Sequence, residues 1–246
     1  SKLFYYYFLI PLLPVFLFGL PPLYGDDYNS IESISSMSFF SSVEAWTNSY
    51  GIFYRPIGAL IHYGLHYLFY PNLNLLYFVS LLIYLLISFL LFQLIQSFKE
   101  SSSSLANFVS ILFITFPLNV TAYLQLSSIY YLVSCVLMLI SLLIFNSTNL
   151  KDYIKLFLAS LIWCIALFTY EQITGLVLIF VLIEFYNQKE KLFYKRLYYS
   201  IIKVSPIILS TLIFMLLYFG LENNPKVAVV NDSNIHILEK INEVKI

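Results

Sequence analysis

The sequence predicts an all-α polytopic membrane protein, with about seven transmembrane helices and an external first loop that holds short interfacial helices. Three observations predict it. Hydrophobic residues make up 60% of the chain and charged residues only 11%, less than half the usual share. Mean hydropathy is +0.83. Several apolar runs approach or exceed the roughly 20 residues that cross a bilayer. Aromatic residues reach 19%, mostly Phe and Tyr, and Tyr suits the membrane–water interface. A formal net charge of zero and the lack of a basic stripe exclude a nucleic-acid partner.

The first span is read at 3–23. It follows Lys2 alone and lacks a small-residue cleavage site, so it is expected to be retained rather than removed as a signal peptide. Pro11 and Pro14 fall within it, which membrane helices tolerate. An external loop follows at 24–71, and the second span at 73–98 ends on Lys99, Glu100 and a serine run. The apolar stretch 105–145 would reach roughly 60 Å as one helix, twice the hydrocarbon thickness. Pro117 and the polar residues after it divide it into spans at 105–118 and 127–145.

The run 156–186 fits either one tilted helix of about 45 Å or a hairpin turning at Glu171 and Gln172. Charge selects the hairpin, with spans at 156–170 and 173–186. Lys151 and Lys155 precede the run, Lys189, Lys191, Lys195 and Arg196 follow it, and the positive-inside rule puts both clusters on one side. A last span at 201–220 leaves an external segment, 221–246, with no core of its own and expected to be cut from a longer protein. This topology places Lys2, Lys99, Lys203 and the two clusters in the cytoplasm. Outside lie Arg55, Lys226, Lys240 and Lys245, and Arg55 alone breaks the bias among the short loops. Cys135 and Cys164 sit in apolar runs and read as small core residues rather than a disulfide.

The polar residues outside the spans are the candidates for chemistry. Asp26 and Asp27 follow the first span directly; they are either a solvated loop pair or carboxylates able to take a proton from a hydroxyl. Arg55, in YRPIGAL, is either a snorkelling anchor or a forked donor for phosphate. His62 and His66, four apart, share a helix face. That spacing can ligate zinc, but no H-E-x-x-H pattern is present, and interleaved tyrosines favour an interfacial helix. Glu171, in LFTYEQITG, is either a hairpin tip or an acidic group kept for function, and Gln125 occupies a similar turn. Glu32, Glu44 and the sequons at Asn119 and Asn231 have weaker claims.

In this order the motifs resemble the GT-C superfamily of membrane glycosyltransferases, nearest in feel to its protein O-mannosyltransferase-like and bacterial lipopolysaccharide-glucosylating members. GDDY (25–28) is similar to the acidic pair after span one. YRPIGAL (54–60) and YPNLNLLYF (70–78) resemble the return from the loop and the opening of span two. FPLNVTAYLQLSSIYYL and LFTYEQITGLVLIFVLIEFY resemble the two later external turns. Leu73 stands where members often have His, and Tyr170 where a Lys is common. The distal soluble domain or extra helices of other members are not in these 246 residues.

The resemblance implies inverting transfer of a sugar from a polyprenyl-phosphate donor to a hydroxyl of a glycan, lipid or protein acceptor. Asp26 or Asp27 would act as base, Arg55 would bind the leaving phosphate, and Glu171, Gln125, His62 and His66 would orient substrate. A divalent cation, Mg or Mn, on Asp26 and Asp27 is also within the family's range. The abundance of Ile, Asn, Lys, Tyr and Phe suggests an AT-rich bacterial genome, and hence an inner-membrane protein with its site facing the periplasm. Rival readings are a transporter or lipid flippase, an O-antigen polymerase-like enzyme, and a structural subunit. The first should carry midplane charges and a repeat, which the sequence does not display.

Overall fold

The computed structural model describes residues 11, 27, 31, 38–49, 55–98, 101–116, 124–188 and 192–222. Every regular element among them is helical: α1 (Phe39–Ser49), α2 (Pro56–Phe69), α3 (Leu73–Gln96), α4 (Ser103–Thr115), α5 (Ile129–Asn146, entered through a 3-10 turn Leu126–Ser128), α6 (Asp152–Thr169), a 3-10 run Glu171–Leu176, α7 (Val177–Asn187) and α8 (Phe193–Glu222).

Four of these segments are long and apolar enough to cross a bilayer: Leu73–Gln96, Leu126–Asn146, Asp152–Thr169 and Phe193–Gly220. The chain is an integral membrane protein. Phe78, Leu82, Leu86 and Phe89 repeat every three or four residues along α3 and stay exposed, as do Leu209, Leu212, Ile213 and Leu216 on α8. Stripes of that kind are costly in water and suit lipid.

The expected spans meet these helices with corrections. The third, 105–118, is the 13-residue helix Ser103–Thr115, which at 1.5 Å per residue falls short of a bilayer. The last expected span, 201–220, starts earlier, at Phe193, and runs through Pro206 for 30 residues. Neighbouring helices can satisfy the carbonyl that Pro206 frees. The run 156–186 does break, after Thr169, into α6, the 3-10 run and α7, but α7, read as the span 173–186, has only 11 helical residues and is not among the four long enough to cross. The first expected span, 3–23, lies outside the described residues except for Pro11. The tail, 221–246, lies outside them except for the end of α8.

Small residues set the central pairing. Ala159 and Ala166 on α6 are fully buried, and so are Ser134 and Ser141 on α5. Each pair is seven residues apart, so each lies on one helix face. The Ser134 hydroxyl donates to the Ala166 carbonyl at 3.1 Å, and Ser141 to the Ala159 carbonyl at 2.7 Å. Residue numbers fall on one helix as they rise on the other, so α5 and α6 are antiparallel and closely apposed. Around this seam α3 packs on α4 and α5, and α8 on α6 and α7. Trp163 of α6, fully buried, donates its indole N–H to Thr211 of α8 at 2.8 Å and meets the Phe180 ring of α7 edge-on at 5.2 Å.

The two ends of the bundle differ. At one end α3, α5 and α7 finish together: Asn146 donates to the Ser97 hydroxyl at 2.7 Å, and Asn187 donates to the Asn146 side-chain oxygen at 3.2 Å. Lys151, Lys155, Lys195 and Arg196 belong to this end, at the starts of α6 and α8. Lys203 lies two to three turns inward, paired with buried Glu184 of α7 at 3.0 Å. Arg55 is at the opposite end, so it stands apart from every other described Lys and Arg.

Candidate functional site

Four chain segments meet at the end that holds Arg55. Arg55 precedes α2, whose first helical residue is Pro56, the position where a missing N–H costs nothing. Gly58 lets this helix start press against the end of α6, because a Cβ there would overlap the Thr169 carbonyl oxygen. The contact aims the Arg55 side chain at the turn that follows α6. Its Nε and one terminal nitrogen donate to the two carboxylate oxygens of Glu171, 116 residues away, in a forked ion pair. The other terminal nitrogen donates to the Tyr130 hydroxyl at 2.9 Å.

Three phenol rings surround the guanidinium, with centroids at 4.8 Å for Tyr170, 5.5 Å for Tyr130 and 5.9 Å for Tyr131. A cation over aromatic faces gains further attraction. Burial by itself lowers the Arg55 pKa, but the hydrogen bonds to Glu171 and the charges of its neighbours outweigh burial, and the guanidinium is held above its ordinary value. Burial and the Tyr131 phenol push Tyr170 up to about 12 against the pull of Arg55, so its hydroxyl keeps its proton at neutral pH.

Asp27 joins the cluster from the loop side. It is fully buried, and its Oδ1 accepts the Ser127 backbone N–H at 2.7 Å. That amide belongs to the turn that opens α5, where unpaired N–H groups favour a negative charge. Ser127 and Tyr130 are three residues apart, so the backbone amide that Asp27 accepts from lies about one helical turn from the backbone of the tyrosine that contacts Arg55. Gln125 sits half-buried at the start of the same turn.

His62 and His66 share the inner face of α2, both buried, with ring centroids 4.3 Å apart. His66 Nδ1 lies 2.8 Å from the His62 carbonyl oxygen. A carbonyl only accepts, so Nδ1 carries the hydrogen and Nε2 is the acceptor nitrogen. Burial pushes the His62 imidazole well below its ordinary value, and the neighbouring His66 pushes the same way. Burial also lowers His66, against the opposing pull of its bond to the His62 carbonyl and of the Asp27 carboxylate.

Both imidazoles are therefore neutral in the fold at pH 7, whereas in the unfolded chain they titrate near 6.5. Below that value the unfolded chain binds more protons, so their contribution is present above pH 6.5 and lost as pH falls towards the depressed folded values. Stability in detergent should drop between pH 7 and pH 5 by up to about 1.4 kcal/mol per pH unit for each histidine. Replacing both by Gln should flatten that part of the profile; an unchanged profile would contradict the burial of neutral imidazoles.

The expected residues Asp27, Arg55, Glu171, Gln125, His62 and His66 thus fall at one end of the molecule. Asp26, Glu32 and both sequons lie outside the described residues, and Glu44 is exposed on α1. Comparison with family models, with curated proteins and with solved structures finds no match to this chain. Sequence reasoning did not single out Tyr130 and Tyr131, although a tyrosine pair just after the polar break at the start of a span was a usable signal. It also passed over Glu184, an acid inside an apolar run. Glu184 accepts from Lys203 and from Gln188, the latter at 2.7 Å, and so ties α7 to α8. Among the described residues no three His, Cys, Asp or Glu side chains converge to hold a metal ion.

Proposed function

We propose that the chain is a membrane glycosyltransferase that takes its sugar from a polyprenyl-phosphate lipid and passes it to an acceptor hydroxyl. The observation that carries the reading is the convergence of Asp27, Arg55 and Glu171 from three distant places in the sequence. They meet at one end of an apolar bundle, opposite the other described basic residues. A lipid-tethered donor can reach that end sideways from the bilayer while a polar acceptor arrives from water. The positive-inside rule puts the lysine-rich end in the cytoplasm and the cluster outside, in the periplasm of a bacterial cell. The order of motifs that resemble those of GT-C enzymes supports the same reading.

In the proposed reaction the acceptor hydroxyl gives its proton to the Asp27 carboxylate, which the Ser127 amide orients. The acceptor oxygen then forms a bond to the anomeric carbon from the face opposite the lipid phosphate. The bond from that carbon to the phosphate oxygen breaks, and its electron pair leaves with the lipid phosphate. Arg55 meets the charge that grows there, and stabilises it more in the transition state than in the ground state. Asp26, adjacent in sequence, is the second candidate base.

The test is transfer of radiolabelled sugar from polyprenyl-phosphate donors in membranes. Asp27→Asn should lower transfer by about 100-fold or more at unchanged expression, the contribution expected of a general base. Full transfer in Asp27→Asn and in Asp26→Asn alike would remove both carboxylates from the chemistry.

A further inference from the structure

The guanidinium assigned above to a lipid phosphate already has an anion on it. Glu171 takes the edge formed by Nε and one terminal nitrogen with both carboxylate oxygens, and Tyr130 takes the remaining terminal nitrogen. A phosphate presents the same pair of oxygens to the same fork. It cannot share that edge with a carboxylate, since two anions in contact repel strongly in a partly buried site. Either the pair is a fixed brace, or one of its members gives way.

The structure distinguishes the two members. Arg55 is anchored by Pro56, by the close seating of Gly58 on the Thr169 carbonyl, and by Tyr130. Glu171 instead leads a 3-10 run of six residues, Glu171–Leu176. Runs longer than three or four are uncommon because their hydrogen bonds are poorly aligned, and they often mark hinges. Gln172, Gly175 and Leu176 are exposed, nothing lies within 4 Å of where a Gly175 Cβ would be, and only Ile173 of the run is buried. Ile173 is the run's one anchor in the core, so the exposed residues beside Glu171 leave its carboxylate more room to turn away than Arg55 has, held as it is between α2, Tyr130 and the end of α6.

We infer that Glu171 is an internal stand-in for phosphate: it holds the Arg55 fork until a lipid phosphate displaces it, and the displaced carboxylate then turns to accept hydrogen bonds from sugar hydroxyls. The inference rests on the phosphate role given to Arg55 above, and adds that the site is self-occupied and opened by its own substrate. Exchange of one anion for another keeps the buried guanidinium paired throughout, which avoids the cost of an uncompensated buried charge. It also makes the site selective, because a lipid without phosphate has nothing with which to displace Glu171.

The experiment measures binding of polyprenyl monophosphate to the purified full chain in detergent. Uncharged polyprenol and inorganic phosphate serve as parallel probes, to separate recognition of the chain from recognition of the phosphate. Glu171→Gln removes the competing charge while keeping the side chain's size, and Glu171→Ala is the second variant in case Gln retains the pairing. Both should bind polyprenyl monophosphate at least about tenfold more tightly than the wild type. Tenfold corresponds to about 1.4 kcal/mol, no more than one charge-assisted hydrogen bond supplies. The double variant Arg55→Met, Glu171→Leu, which leaves no buried charge unpaired, should lack that gain. A brace would behave in the opposite way, with binding unchanged or weakened in both Glu171 variants; that result, with wild-type binding that depends on Arg55, overturns the inference and leaves the phosphate role standing. Phosphate-independent binding equal to that of polyprenol in every variant overturns the phosphate role and the inference together.

Discussion

Arg55→Met should destabilise the protein by about 3–5 kcal/mol, the cost of stripping one partner from a buried ion pair. Arg55 is only 6% exposed, and its guanidinium bridges the start of α2, the start of α5 and the turn after α6. Removing it leaves the Glu171 carboxylate without its forked donor and the Tyr130 hydroxyl without its charged one. The pair itself can be replaced: an Arg55→Met, Glu171→Leu double variant should recover most of the loss, because two apolar groups leave no charge to compensate. Unfolding of the two single variants and the double variant in detergent yields the coupling energy directly. A coupling near zero would mean that the two side chains do not pair in the folded protein.

Trp163→Ala should cost a similar amount, about 3–5 kcal/mol, for a different reason. Trp163 is fully buried among α6, α7 and α8, and its loss opens a cavity beside Phe180 and leaves the Thr211 hydroxyl without its donor. Trp163→Phe should be far milder, because it keeps a ring in the space and loses chiefly the hydrogen bond, about 1 kcal/mol. Melting temperatures of the two variants check the order. Equal, small losses would mean that α6, α7 and α8 do not pack around this side chain.

The sequence already contained much of the helical layout, and the reasons lie in particular residues. Lys151 and Lys155 before the run 156–186, with the basic cluster after it, called for a break within it, and the helix does end at Thr169, although the 11 residues of α7 are fewer than a full span needs. α4 ends at Thr115 and the turn into α5 begins at Leu126, while Pro117 and the polar residues up to 123, which were expected to part the two spans, lie outside the described residues. Hydropathy alone could not reveal how short α4 is, because a run of apolar residues does not state where its backbone leaves the helix.

The site was legible as a set of residue types but not as a set of partners. Asp27, Arg55 and Glu171 stand out because charge is scarce in this chain. Their contacts depend on tertiary placement: Arg55 meets Glu171 across 116 residues, and Asp27 meets a backbone amide, which has no sequence signature. The spacing of His62 and His66 put them on one face, and packing of that face inward, rather than towards the interface, is what buries them. The small-residue seam was present as Ser134 with Ser141 and Ala159 with Ala166, a seven-residue spacing that hydropathy averages conceal.

That the residues of the loop and of the α6–α7 turn form one outward-facing site is tested most directly by sidedness. Gln172, exposed beside Glu171, and Asn149, exposed at the lysine-rich end, would each be changed to Cys after Cys135 and Cys164 are replaced by Ser. A membrane-impermeant maleimide applied to intact spheroplasts should label the position-172 cysteine and spare the one at 149, which should react only after the membrane is opened. Labelling of 149 alone from outside would turn the bundle over, place the Arg55 cluster in the cytoplasm, and contradict the proposed reaction on the external face.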